Sequence, residues 1–136
     1  MPLEHNLEVG LKGTAQVEVT PENTADSLAD GIARVYATPN MIGLMEVASA
    51  MAVQPYLSEG LSTVGTLVNV THIAATPIGF TARAEAELMA VEGRKLVFKV
   101  VAYDDTEKIG EGVHERFIID MAKFMSRVQQ KTARSE

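Results

Sequence analysis

Glu46 is the only charged side chain between Val35 and Ser58, a stretch otherwise built from apolar, small and neutral polar residues. Acids are rarely enclosed without a partner or a task, and burial beside an imidazole or a hydroxyl makes a carboxyl's proton affinity adjustable. His72 offers such an imidazole. It closes a β-branched run, Leu61 to Ile73, in which Val64, Thr66, Val68, Val70 and His72 fall on one face at a period of two. Either residue alone is usually a satisfied core group; together an interior acid and an interior imidazole form an acid/base pair working near neutral pH.

Three further positions bear on this pair. Thr38-Pro39 opens a helix, with the Thr38 hydroxyl expected to cap orphan amides, and the same amide-rich corner can polarise a carbonyl. Gly65 lies inside the strand, where glycine marks a bulge or a close approach of another group. His114 and Arg116 share a strand face with Gly110 and Gly112. The guanidinium suits a bidentate contact with a carboxylate or phosphate, against the commoner outcome of a solvated ion pair.

Other chemistries find little support. The chain has no cysteine, which removes disulfides, thiolate metal sites and cysteine nucleophiles. His5, His72 and His114 are far apart, HExxH, GxSxG and the P-loop do not occur, and no metal or cofactor is expected. Twelve Lys and Arg against 18 Asp and Glu give a net charge of −6, so nucleic acid and anionic membrane lack their electrostatic attraction. Pro39, Asn40, Glu46, Gln54 and Pro55 interrupt the longest apolar region, against a bilayer span. Met1 to Gly13 does not read as a signal peptide, so cytoplasmic residence is expected. At 136 residues, residues 1–136 fit a single domain.

The elements that must position these groups follow from periodicity. Thr14 to Thr20 reads as a first strand. Leu28, Ile32 and Val35 then fall at helical spacing in a short helix or flap that could cover a site. A helix from Thr38 to about Gln54 is apolar on nearly every face and should be enclosed. The Leu61–Ile73 strand follows. Phe80, Ala82, Ala84, Ala86 and Leu88 alternate with polar residues in a half-buried strand. Val91 to Arg94 turns into Lys95–Tyr103, and Asp104 to Thr106 into Lys108–Ile119, so four successive antiparallel strands are expected as a meander. A short helix from about Asp120 ends the chain. An apolar helix ahead of such a sheet is buried only if the sheet curls around it: an α+β, hot-dog arrangement, a curved antiparallel sheet wrapped on a long central helix, with a cystatin-like wrap as the alternative. Open strand edges favour a second subunit.

Particular runs carry a resemblance. Tyr36-Ala37-Thr38-Pro39-Asn40-Met41-Ile42-Gly43-Leu44-Met45-Glu46, Thr63-Val64-Gly65-Thr66, Val70-Thr71-His72-Ile73-Ala74-Ala75-Thr76-Pro77 and Gly112-Val113-His114-Glu115-Arg116 together resemble the fluoroacetyl-CoA thioesterase family. The likeness extends from about Tyr36 to Thr132. It implies a hot-dog homodimer hydrolysing a short-chain acyl-CoA to the free acid and CoA, with CoA part of the substrate and no separate cofactor. It also implies that Thr38, Glu46 and His72 act together, with Glu46 favoured as nucleophile or base over attack by Thr38 or by a water that His72 activates. Gly65 would lie beside the acyl carbonyl or its alpha substituent, and Tyr36 and Arg116 would line the acyl pocket. Tyr36 stands where the family has Phe, and Pro21 to Arg34 matches poorly, which leaves the acyl group open, fluoroacetyl included. The alternatives are a non-catalytic acyl-CoA-binding hot-dog module and an enoyl-CoA hydratase or dehydratase.

Overall fold

Small residues on one sheet face decide how closely a helix can approach it. Strand β1 (Lys12–Glu18) precedes helix α1 (Thr38–Val53), and after β2 (Leu61–His72) strand β3 (Thr81–Glu92) turns Ala82, Ala84, Ala86 and Leu88 inward, all buried. Helix α1 brings its own buried alanines, Ala48 and Ala52, to this core. On β1 a Cβ at Gly13 would collide with the Ala48 carbonyl, so glycine permits the close approach. Larger side chains, among them Met41, Met45, Leu88, Phe98 and Ile118, fill the remaining space. Each contributes roughly 1.5–3 kcal/mol on burial. This computed structural model describes residues 7–29 and 31–134; the reading of the leader at Met1 to Asn6, His5 included, lies outside the described residues.

Strands β4 (Lys95–Tyr103) and β5 (Lys108–Asp120) and helix α2 (Met121–Arg134) complete the chain. The curved five-stranded antiparallel sheet has the order β1-β3-β4-β5-β2 and wraps α1 in the expected hot-dog arrangement. Gly93, at φ +65°, and Arg94 form the β3–β4 turn. The four-strand meander is not formed, however: β3, β4 and β5 follow one another, but β2 pairs with β5. Residues 73–80 connect β2 to β3 and are long enough to cross the intervening strands, which a tight hairpin turn is not. Among the described residues β2 has no partner on its outer edge.

The shared face expected for β2 is broken at one point. Thr63 pairs with Ile118 and Gly65 with Arg116, then the register shifts, and Leu67 pairs with Glu115 and Val68 with His114. Thr66 is the extra residue of a bulge, and one extra residue reverses the parity beyond it. Thr63 and Gly65 therefore share a face with Val68, Val70 and His72, not with Val64 and Thr66.

Two other expectations are corrected. Helix α1 is not enclosed all round, since Val47 is 51% and Met51 59% exposed while Met41, Met45, Ala48 and Ala52 are buried. Of the short helix or flap expected between β1 and α1, the described residues form no α-helix. Two short 3-10 turns, Pro21–Asn23 and Ala25–Ser27, are tied to the body by bridges from Thr24 to Tyr36 and from Val35 to Pro77. Gly31 at φ +83° interrupts a right-handed helix there, and Leu28 and Ile32 are exposed. The expected start of α2 is met: Asp120 Oδ1 accepts from the Lys123 amide at 3.1 Å, as an N-cap does. No helix of the described residues is long and apolar enough to cross a membrane.

Candidate active site

Helix α1 begins with Ala37 as its N-cap and Thr38 as its first residue, and no side chain caps it. The Ala37 carbonyl instead accepts from the amides of Asn40 and Met41. Thr38 is therefore not engaged in the capping expected of it. Its Oγ1 lies 2.7 Å from Nδ1 of His72, the last residue of β2. His72 stands opposite Gly110, where a Cβ would strike the Met41 side chain, so glycine also keeps this corner open. The His72 Nε2 is buried with no partner in hydrogen-bonding geometry. Burial pushes the imidazole's pKa down, with the Ala74 backbone opposing. A neutral ring sharing a proton with a hydroxyl is the arrangement of a proton relay.

The pair opens into a cavity of about 330 Å³ lined also by Ile32, Val35, Tyr36 and Ile73. Tyr36 is buried, and burial pushes its phenol up to about 12, so it stays neutral at working pH. Its amide donates to the Thr76 carbonyl at 2.9 Å, and the Thr76 hydroxyl donates to Asp104 Oδ2 at 2.9 Å. A strut thus runs from the cavity wall to the β4–β5 turn.

A second cluster forms further along β2, around Gly65. A Cβ placed there would lie 2.7 Å from Glu46 Oε1, 3.1 Å from His114 Cε1 and 3.4 Å from Arg116 Nη1. Glycine is required because three polar side chains converge on the position. Arg116 is only 8% exposed, which corrects the expectation of a solvated ion pair. Its Nε donates to Thr63 Oγ1 at 2.8 Å, its Nη2 to the Thr63 carbonyl at 2.9 Å and its Nη1 to His114 Nε2 at 3.2 Å. Burial lowers the pKa of the guanidinium and the Glu46 charge opposes that. Glu46 is half-buried and, with Gly43, Val47, Thr63, Gly65 and Arg116, lines a cavity of about 360 Å³.

His114, 1% exposed, is the residue whose part at this site was not read from sequence. Its alternation with Arg116 placed both on one face, but nothing local shows which ring nitrogen meets the guanidinium. Nδ1 lies 2.8 Å from the Leu67 carbonyl, at the bulge. Burial lowers its pKa first and Arg116 lowers it further, against opposing effects of Leu67, Glu46 and Glu115.

Within one chain these clusters stay apart. Thr38 and Glu46 are eight residues apart on α1, about 12 Å along its axis, and Gly65 and His72 seven apart on β2, about 23 Å in strand rise, slightly less for the bulge. The structure joins Thr38 to His72, and gathers Glu46, Gly65 and Arg116. It does not bring Glu46 to His72 in the same chain.

A curved antiparallel sheet around a helix that carries a hydroxyl, a carboxyl and an arginine-lined pocket defines a hot-dog thioesterase. The chain belongs to the fluoroacetyl-CoA-specific thioesterase family, FlK, whose model matches residues 19–122. It is 41% identical to the fluoroacetyl-CoA thioesterase of Streptantibioticus cattleyicolor, over 96% of this chain and 98% of that one. A single-residue variant of FlK, solved in complex with fluoroacetate and CoA, is similar at 42% identity and a TM-score of 0.80, over 87% of this chain and 99% of that one. A thioesterase superfamily member from Thermus thermophilus is similar at 30% identity and a TM-score of 0.87, covering 93% and 94%. The chain is a thioester hydrolase.

Proposed function

We propose that two copies of this chain pair along β2 and hydrolyse short acyl-CoA thioesters to the free acid and CoA, each site taking its two halves from different subunits. Among the described residues the outer edge of β2 is unpaired, Leu67 and Val68 on it and Ile73 just past its end are exposed, and so are Val47 and Met51 on α1. A long unpaired edge beside exposed apolar residues is a template for a second strand. A twofold axis between Val68 and Asn69, with the strands antiparallel, sets Gly65 of each copy level with His72 of the other. The Thr38–His72 pair of one subunit then faces the partner subunit's Glu46 and the partner subunit's Arg116.

In that composite site the Glu46 carboxylate takes a proton from the water that attacks the carbonyl carbon, or attacks that carbon itself and forms a mixed anhydride that a water then hydrolyses, freeing the carboxylate and the acid. The bond to sulfur breaks in either case, and the thiolate leaves as the CoA thiol with a proton that the water supplies. Thr38, its proton shared with the neutral His72 ring, orients the attacking water by accepting a hydrogen bond from it. Arg116 sets a positive charge beside Glu46, and Tyr36 covers the acyl group with a neutral phenol. CoA arrives as part of the substrate, and no other cofactor enters the reaction. Cytoplasmic residence fits a CoA-thioester substrate and a chain without cysteine.

The observation that carries the reading is the 2.7 Å Thr38–His72 contact, which commits a helix-start hydroxyl to an imidazole instead of to the helix. The test is thiol release from a panel of acetyl-, fluoroacetyl-, propionyl- and aryl-acyl-CoA, with products identified by mass spectrometry. Free acid and CoA from at least one short member is expected. Saturable binding without turnover would leave a binding module, and water added across an enoyl-CoA would leave a hydratase.

A further inference from the structure

Arginine can only donate hydrogen bonds and a backbone carbonyl can only accept them. His114 stands between one of each: Nε2 lies 3.2 Å from Arg116 Nη1 and Nδ1 lies 2.8 Å from the Leu67 carbonyl. The ring must therefore be neutral, with its proton on Nδ1 and its lone pair facing the guanidinium. Phe98 lies against it at 6.4 Å between ring centroids, and the residue is buried, so an apolar side chain would suit the space better unless both nitrogens were needed.

The need is visible at Arg116. Of its five N–H groups, Thr63 takes two and His114 a third. Nη1 and Glu46 Oε1 both border the space that a Gly65 side chain would fill, 3.4 and 2.7 Å from its Cβ position. Thr63 holds Nε and one N–H of Nη2. Of the two N–H groups left, one on Nη1 and one on Nη2, the first is kept on its heading by the acceptor at His114 Nε2.

We propose that His114 is a positioning residue for the thioesterase site: clamped by the Leu67 carbonyl, it accepts from Arg116 and thereby aims the free Nη1 donor at the Glu46 carboxylate and at any substrate oxygen beside it. The inference rests on the hydrolase reading above for its kinetic consequence, but not for its structural one.

Two amide substitutions separate the halves of this role. His114→Asn leaves a donor near the place of Nδ1 for Leu67 and removes the acceptor facing Arg116. His114→Gln puts an amide oxygen at the place of Nε2 and gives up the Leu67 contact. Both would be assayed for thiol release from acetyl-CoA, with thermal midpoints measured in parallel, and the arginine side chains observed by nitrogen-15 NMR in the full-length protein. His114→Asn is expected to lose about tenfold in kcat, the loss of one oriented hydrogen bond, and His114→Gln to recover most of it even if its midpoint is the lower of the two. Arg116 Nη resonances should stay separately resolved in wild type and His114→Gln and average through rotation in His114→Asn. Equal activity in both variants, activity that simply follows the midpoint, or unchanged Arg116 resonances in His114→Asn would overturn the proposal. Should the wild-type protein turn over no thioester, the function assignment fails while the NMR comparison still decides the positioning role.

Discussion

The two ends of β2 are built differently. Around Gly65 the basic groups are buried and mutually anchored: Arg116 has three hydrogen bonds, and His114 satisfies both ring nitrogens. Around His72 one contact, to Thr38, is made inside an open cavity, and Nε2 has no partner. One end is finished within the chain and the other awaits something from outside it. The difference teaches that charge, which is costly to misplace in a poorly solvated site, is fixed in advance, while the proton relay is left where substrate and a second subunit close over it.

The sharpest way to break this division is to remove charge from the finished end. Glu46→Gln keeps the shape of the side chain but cannot attack or accept a proton, and kcat/KM in the thiol-release assay should fall about a thousandfold. A loss under about threefold would remove Glu46 from the chemistry.

At the open end the expected effect is smaller and depends on pH. His72 must be neutral to share the Thr38 proton, and burial lowers its pKa. Activity should therefore hold through neutral pH and fall only as pH drops through a value below the usual histidine range of about 6.5. His72→Ala should lower kcat about a hundredfold and abolish that acid limb. A limb that survives in the variant belongs to another group.

Gly65→Ala probes how tightly the finished end is packed. The added methyl lands within 2.7 Å of Glu46 Oε1, so the carboxylate must shift, and a loss of about tenfold in kcat/KM is expected. An unchanged rate would mean the cluster has room to spare.

These regions also differ in how legible they were. The alternation of β3, the turn at Gly93 and the buried side of α1 follow from local pattern, because each depends on residues close in sequence. Gly65 could be recognised as a close-approach position, since glycine in a strand needs a reason. The parity of β2 was misread because the bulge at Thr66 leaves no mark in a run of β-branched residues. The pairing of β2 with β5 lies some fifty residues away, beyond any periodicity. Thr38 looked like a cap because a threonine before Pro39 usually is one; only the fold reveals that His72 competes for it. The part played by His114 is a matter of tautomer and partners, which residue spacing does not encode.

The smallest effect concerns the strut behind the open cavity. Burial alone would raise the Asp104 carboxyl, but hydrogen bonds from Thr106, Thr76 and Glu107 outweigh it and leave the pKa lowered. A lowered folded-state pKa stabilises above the unfolded value of about 3.9 and loses that contribution as pH falls through the folded value. Asp104→Asn should cost about 1 kcal/mol at neutral pH, since solvent reaches and partly screens this half-exposed group. The thermal midpoint would drop by a few degrees, about 2–8 °C, and the gap to wild type should close below about pH 4. A gap constant across pH would assign the effect to shape instead.

The shared site itself is tested by mixing two inactive chains. Glu46→Gln and His72→Ala proteins, each nearly inactive alone, would be unfolded together, refolded and assayed for thiol release. Half of randomly formed dimers are mixed, and a mixed dimer holds one site with both groups intact, so about a quarter of wild-type activity should return. Activity no higher than the sum of the separate variants would show that Glu46 and His72 do not serve a common site across two subunits.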